Sequence, residues 1–187
     1  MGIILASGSP RRKELLSFIT EDFRITVSNA EEKVDISLTP SELVKSISKQ
    51  KADAVKPGLS DGDVLISADT VVNINGKILG KPHSREEAFE MLSELSGTTH
   101  KVFTGVCITD GKKEIVFAEE TEVEFFALSP AEINAYIDSK EPFDKAGAYG
   151  IQGKGALLVK GIKGDFYNVM GFPVARVSRE LENFVIK

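Results

Sequence analysis

Cysteine is almost absent from this chain: the single Cys107 permits no internal disulfide and no thiolate metal cage. Histidine is nearly as scarce. His83 and His100 lack the spacing of a zinc pair, which argues against a histidine-based hydrolytic zinc site. No apolar run approaches the ~20 residues that cross a bilayer. The chain enters a short apolar strand without the charged and apolar regions of a signal peptide. Positive charge is in deficit, with 23 Lys and Arg against 28 Asp and Glu and a net charge of −5. The basic residues are local rather than spread over a face, which argues against a nucleic-acid-coating role. Repeats and low-complexity segments are missing too. These absences lead us to expect a cytoplasmic protein with neither membrane nor nucleic-acid partners.

What is present suffices for a core. The chain is 42 % hydrophobic, and its 187 residues fit one large domain or two small lobes. Ile3, Ile4 and Leu5 read as a strand, residues 22–28 as another, and 63–74 as a strong one turned by Asn75-Gly76. A long antiparallel pair is expected over 100–110 and 113–128. Helices are expected from about Pro10, from Pro40 to before Pro57, over 85–95, over 130–139 and over 173–184. Six glycines between Asp144 and Asp165 predict turns and short strands such as "ALLV". They spell neither GxGxxG nor a Walker A pattern. The mixture lacks a strict βαβ rhythm. It suggests an α/β protein with a mixed, partly antiparallel sheet, in two lobes with a cleft between them.

The first helix breaks a rule that the others keep. Thr39-Pro40-Ser41-Glu42, Ser84-Arg85-Glu86-Glu87 and Ser129-Pro130-Ala131-Glu132 each follow the capping-box pattern. In "ASGSPRRKELL" (6–16), Ser9 reads as the cap and Pro10 as the first helical residue, but Arg12 fills the Glu slot. Arg11, Arg12 and Lys13 then crowd the positive end of the dipole, at ~0.3–1 kcal/mol each. A bound polyphosphate would explain them; a solvated basic turn is the plain alternative.

Two more charges stand out. Lys51 falls on the apolar stripe Leu43, Val44, Ile47, Ala54, Val55, either snorkelling to water or held as a phosphate partner. Asp69 interrupts a strand whose even positions, Val64 to Ile74, form one mostly apolar face. A strand end or bulge would explain it, and so would a functional carboxylate acting as a general base. Glu31 and Glu32 read as a solvated cluster, or beside a polyphosphate as ligands for Mg²⁺. Lys81 sits in a "GKP" turn that leaves its direction open.

"ASGSPRRKELL", "KQKA", "ADTVV", "GKP", "LSGTTHKVFTGV", "EPFDKAGAYGIQG" and "GDFYNVMGFPV" resemble, in order, the signature blocks of the Maf nucleotide pyrophosphatases. That family is a septum-formation-associated branch of the inosine-triphosphate-pyrophosphatase-like fold. The resemblance covers Ala6 to about Val174, and implies one Maf-type domain over 1–187, built of two lobes with the nucleotide in the cleft. It implies hydrolysis of nucleoside triphosphates to monophosphate and pyrophosphate with a divalent cation, Mg²⁺ with Mn²⁺ as the alternative. Ser9, Arg12, Lys51 and Lys81 become phosphate contacts. Glu32 becomes a metal-associated carboxylate, and Asp69 the base that activates water and touches the metal. Arg11, Thr70 and Gln152 fall where the dTTP/UTP-preferring branch carries its selectivity, and "ADTVV" and "GIQG" favour that branch. One block departs from the pattern, with Ala30-Glu31-Glu32 in place of apolar-Asp-Glu, which leaves Glu31 as a rival ligand. A homodimer follows from family precedent. A nucleotide-dependent regulator of cell division, with incidental turnover, is the competing function.

Overall fold

The computed structural model describes residues 2–28 and 31–184, so Ala30 of the departing block lies outside it. Seven strands and six helices alternate with short 3₁₀ turns among these residues. In chain order they are β1 (Ile3–Leu5), α1 (Pro10–Leu16), β2 (Phe23–Ile25), α2 (Pro40–Val55), β3 (Val64–Ile74), β4 (Lys77–Leu79) and α3 (Arg85–Leu95). There follow β5 (Thr99–Thr109), β6 (Glu114–Phe125), α4 (Pro130–Asp138), β7 (Val159–Lys163), α5 (Phe166–Val169) and α6 (Val174–Leu181).

The strands form one mixed sheet in the order β2-β1-β3-β5-β6-β7, with β4 also paired to β3. Strand β1 runs parallel to both β2 and β3. Strands β4 and β7 run antiparallel to β3 and β6. The expected mixed α/β architecture is therefore present. The hairpin after β3 is also as expected: Asn75 (φ 50°) and Gly76 (φ 84°) occupy the left-handed region that such a two-residue turn demands.

Some expectations need correction. The second strand stops at Ile25, and β6 stops at Phe125 rather than residue 128. "ALLV" is not a strand: Gly153–Leu157 is a 3₁₀ turn and pairing begins only at Val159. The stripe of α2 is Leu43, Val44, Ile47, Ser48 and Ala52, while Ala54 is exposed. Strand β3 is buried on both faces except around Asp69, Thr70 and Asn73, because it is an interior strand and not a one-sided one.

The chain divides into two compact units, 1–69 with 104–119 and 171–187, and 70–103 with 120–170. The first packs Ile4, Ala6, Ala52, Leu65 and Cys107 together. Burial pushes the Cys107 thiol up to about 12, so it behaves as an inert core residue. The second unit packs α3 and α4 around a cluster that includes Leu92, Leu95, Val123, Phe125, Ile137 and Tyr149.

Candidate active site

In the first unit the functional side chains come from α1, α2, β3 and the segment before α2. Buried Ser67 on β3 donates its hydroxyl to the Ser48 carbonyl on α2 at 2.6 Å. Lys51 lies three residues beyond Ser48 on the helix, and Asp69 two beyond Ser67 on the strand, so both project on the same faces as that bond. The Lys51 ammonium accordingly reaches Asp69 Oδ1 at 2.6 Å. It also lies 3.0 Å from Glu32 Oε1. Lys51 and Asp69 side chains are 16 % and 15 % exposed, so the ammonium is held by carboxylates in a sheltered spot and does not snorkel to water. Glu31 forms no ion pair among the described residues; Glu32 is the one that joins the group.

Asp69 also falls between the stretches of β3 that its two short partners cover. Strand β1 pairs with Val64–Ile66 and β4 with Val72–Ile74. Thr70, half-buried, follows on the same uninterrupted strand, so alternation turns its side chain to the opposite face.

Helix α1 begins at Ser9 without any side-chain cap and with no acidic residue in its first turn. Full capping boxes stand on α2 and α4. On α3 the Ser84 hydroxyl caps Glu87 N–H, but the Glu87 carboxylate accepts from His83 N–H instead of closing the box. The contrast between α1 and the others is real. The Ser9 hydroxyl makes no hydrogen bond among the described residues, while Ser9 N–H donates to Ser7 Oγ at 3.2 Å. Arg12 is steered away from a helical role: its Nε donates to the Gly171 carbonyl at 2.9 Å and its Nη1 to Ser7 Oγ at 3.3 Å. Burial lowers the guanidinium's pKa, and Asp69 and Glu32 act against that shift, so these carboxylates lie within electrostatic reach of it. Arg11 is half-buried beside it.

In the second unit, Gly147 N–H donates to the Gly80 carbonyl at 2.9 Å and so ties the "GKP" turn to the glycine-rich segment. Gly147 has φ 68°, and a Cβ there would lie 2.8 Å from Val72, so only glycine fits. Ala148 follows at φ 60°, a left-handed conformation costing an alanine about 1 kcal/mol. Lys81 and Gln152 are exposed, and neither side chain makes a polar contact among the described residues.

Sequence reasoning found Lys51, Asp69, Glu32 and Arg12 but missed what holds them: Ser7, Ser48, Ser67 and the Gly171 carbonyl. Ser67 is a polar position within an apolar run two residues before Asp69, and Ser7 closes the apolar run of β1 two residues before Ser9; that was the available signal. The Gly171 contact spans most of the chain and leaves no local trace.

The Maf-like protein family model matches residues 2–184, and the chain belongs to that family. It is 53 % identical over 184 residues to a dTTP/UTP pyrophosphatase of Bacillus cereus, covering 98 % of this chain and 96 % of the relative. A Bacillus mycoides protein of the same name is 52 % identical over 97 % of this chain and 95 % of its own length. Among solved structures, the Staphylococcus aureus Ham1 protein aligns with TM-score 0.48 and 15 % identity, over 67 % of this chain and 72 % of that one.

Proposed function

We propose that this protein hydrolyses the α–β phosphoanhydride of pyrimidine nucleoside triphosphates, dTTP and UTP foremost, releasing monophosphate and pyrophosphate. The relatives' names support the substrate and the reaction. The observation that carries the chemistry is the Lys51 ammonium, 2.6 Å from Asp69 and 3.0 Å from Glu32, with both carboxylates within electrostatic reach of Arg12. A binding protein needs cations for a triphosphate. It does not need a sheltered carboxylate against one of them, and this favours the enzyme over a division regulator that only binds.

In this reading Ser9, Arg12, Lys51 and Lys81 engage phosphate oxygens, and Arg12 and Lys51 stabilise the charge that develops on departing pyrophosphate. Asp69 takes a proton from the attacking water. Lys51 turns from the carboxylates to the phosphates, which exposes Asp69 to that water. Glu32 and Asp69 are hard oxygen donors, and no third His, Cys, Asp or Glu gathers with them among the described residues. Glu32 and Asp69 would hold Mg²⁺, a hard cation suited to carboxylate oxygens. When bound, Mg²⁺ or Mn²⁺ would supply charge neutralisation at the phosphates. Arg11, Thr70 and Gln152 are assigned to selectivity. Gln152 can donate to O4 and accept from N3–H of thymine or uracil. We also propose that the chain acts as a single Maf-type domain over 1–187, in the cytoplasm, and that it forms a homodimer. No helix among the described residues is long and apolar enough to cross a membrane.

Phosphorus NMR of dTTP turnover with Mg²⁺ tests the bond. The expected products are dTMP and pyrophosphate; dTDP and orthophosphate would overturn the proposal.

A further inference from the structure

The base-reading assignment of Gln152 leaves a physical gap. A carboxamide can rotate to suit cytosine, with its donor N4 and unprotonated N3, as readily as thymine. Selectivity therefore needs a backbone that holds the side chain in one orientation, and Gln152 itself makes no contact that would do so among the described residues.

The second unit supplies such a backbone through two side chains placed on either side of Gln152. Two residues before it, Gly150 N–H donates to the Tyr136 hydroxyl at 3.1 Å. Two and three residues after it, Lys154 N–H and Gly155 N–H donate to the Glu141 carboxylate at 3.1 and 3.4 Å. The two anchors meet. A Cβ on Gly155 would lie 2.0 Å from the Gly150 carbonyl oxygen and 2.9 Å from the Tyr136 hydroxyl, so residues 150 and 155 close into a loop with no space left between them. Gly153 turns at φ 64° against the same Glu141 carboxylate, 2.9 Å from where a Cβ would stand. Below the loop, the Lys145 stem runs under Gly150, and its ammonium is held by the Glu141 carbonyl at 2.6 Å. Tyr136 is buried at 4 % exposure on α4, so its hydroxyl is a fixed point and not a solvent-facing one.

We propose that Tyr136 and Glu141 are positioning residues for pyrimidine selectivity: they staple residues 150–155 shut and thereby fix the backbone from which Gln152 and its neighbouring N–H and C=O groups meet the base. The proposal rests on the dTTP/UTP reading above and adds the residues that make it work. Neither residue touches the nucleotide or the reacting atoms. Each acts through the loop.

The test is kcat/KM for dTTP, UTP and CTP on the unmodified protein and on Tyr136→Phe, Glu141→Ala and Glu141→Gln, with Mg²⁺ present. Tyr136→Phe and Glu141→Ala should each lower the dTTP/CTP ratio at least five-fold. Glu141→Gln keeps one acceptor oxygen, enough for the shorter bond from Lys154 N–H but not for Gly155 N–H as well, and should lower the ratio less than Glu141→Ala does. Thermal melts of each variant accompany the kinetics. If Tyr136→Phe does not fold, the two Glu141 variants carry the comparison, because Glu141 is only half-buried. A selective parent whose ratio survives Tyr136→Phe and Glu141→Ala, with rates falling equally on all three nucleotides, overturns this inference alone. A parent indifferent to the base overturns the pyrimidine reading, and the inference falls with it.

Discussion

Lys51 has two carboxylates within 3.0 Å and Arg12 donates to the Gly171 carbonyl and Ser7 Oγ, so the substitutions most informative at the residue scale are ones that change charge but not shape. Asp69→Asn keeps the volume and one acceptor oxygen and removes the base. It should lower kcat roughly 10²–10⁴-fold, the usual weight of general acid–base catalysis, with dTTP affinity within several-fold of the parent. Lys51→Met, which keeps the stem and removes the ammonium, should act mainly on binding, because it removes a phosphate partner and leaves Asp69 and Glu32 without their shared counter-charge. Calorimetry with dTTP and steady-state kinetics separate the two roles. If Asp69→Asn abolished binding while saturated turnover stayed intact, the roles assigned here would be reversed. Lys51 was visible in the sequence because a charge stood on an apolar stripe, and Asp69 because a carboxylate stood in the middle of a strand. Glu32 was separable from Glu31 only by the contact it makes in three dimensions.

At the scale of elements, the placement of Lys51 depends on how tightly α2 sits on the sheet. That closeness is set at Gly105 of β5, where a Cβ would lie 2.2 Å from the Val44 carbonyl oxygen. The obstacle is backbone, so no rotamer change relieves it. Gly105→Ala should push α2 off the sheet and cost about 1–3 kcal/mol, as overpacking does. Gly161→Ala is the natural control: nothing lies within 4 Å of its Cβ position, and it should stay within ~0.5 kcal/mol of the parent. Thermal melts of the two variants measure the difference, and dTTP turnover should drop only in Gly105→Ala. Equal melting temperatures would show that α2 is not held by this contact. Nothing near Gly105 in the sequence reveals a helix carbonyl against it. The elements legible in advance were those with local causes, such as the Asn75-Gly76 hairpin and the caps at Thr39 and Ser129. "ALLV" (156–159) was misread as a strand throughout because the turn over Gly153–Leu157 that takes in its first residues is imposed by distant groups, Glu141 and Tyr136. The two-sided burial of β3 was missed for a similar reason. An interior strand is defined by its neighbours.

For the molecule as a whole, the pH dependence of stability has an identifiable source in the second unit. His100 is buried at 2 % exposure, with its ring edge-on to Phe125 and Tyr149. Its Nε2 lies 2.7 Å from the Tyr149 hydroxyl, and its Nδ1 has no partner among the described residues. Burial depresses its pKa from 6.5 to about 4. The folded protein therefore holds His100 neutral at pH values where the unfolded chain already takes up a proton. The associated stability is complete above pH 6.5 and is lost progressively as pH falls towards 4. At pH 5 the loss should reach roughly 2 kcal/mol. Carboxylates do not confuse the window. Asp63 is held below its usual range by Ser60 N–H and Arg24, and Asp110 by the N–H groups of Lys113 and Lys112, so their contributions are lost only at more acid pH. Urea midpoints at pH 7.5 and pH 5 check the expectation. The parent should weaken at pH 5, whereas His100→Gln, already weaker at pH 7.5, should change much less between the two. A parent whose midpoint is the same at both values would mean that His100 finds a partner for its second proton without unfolding the unit around it.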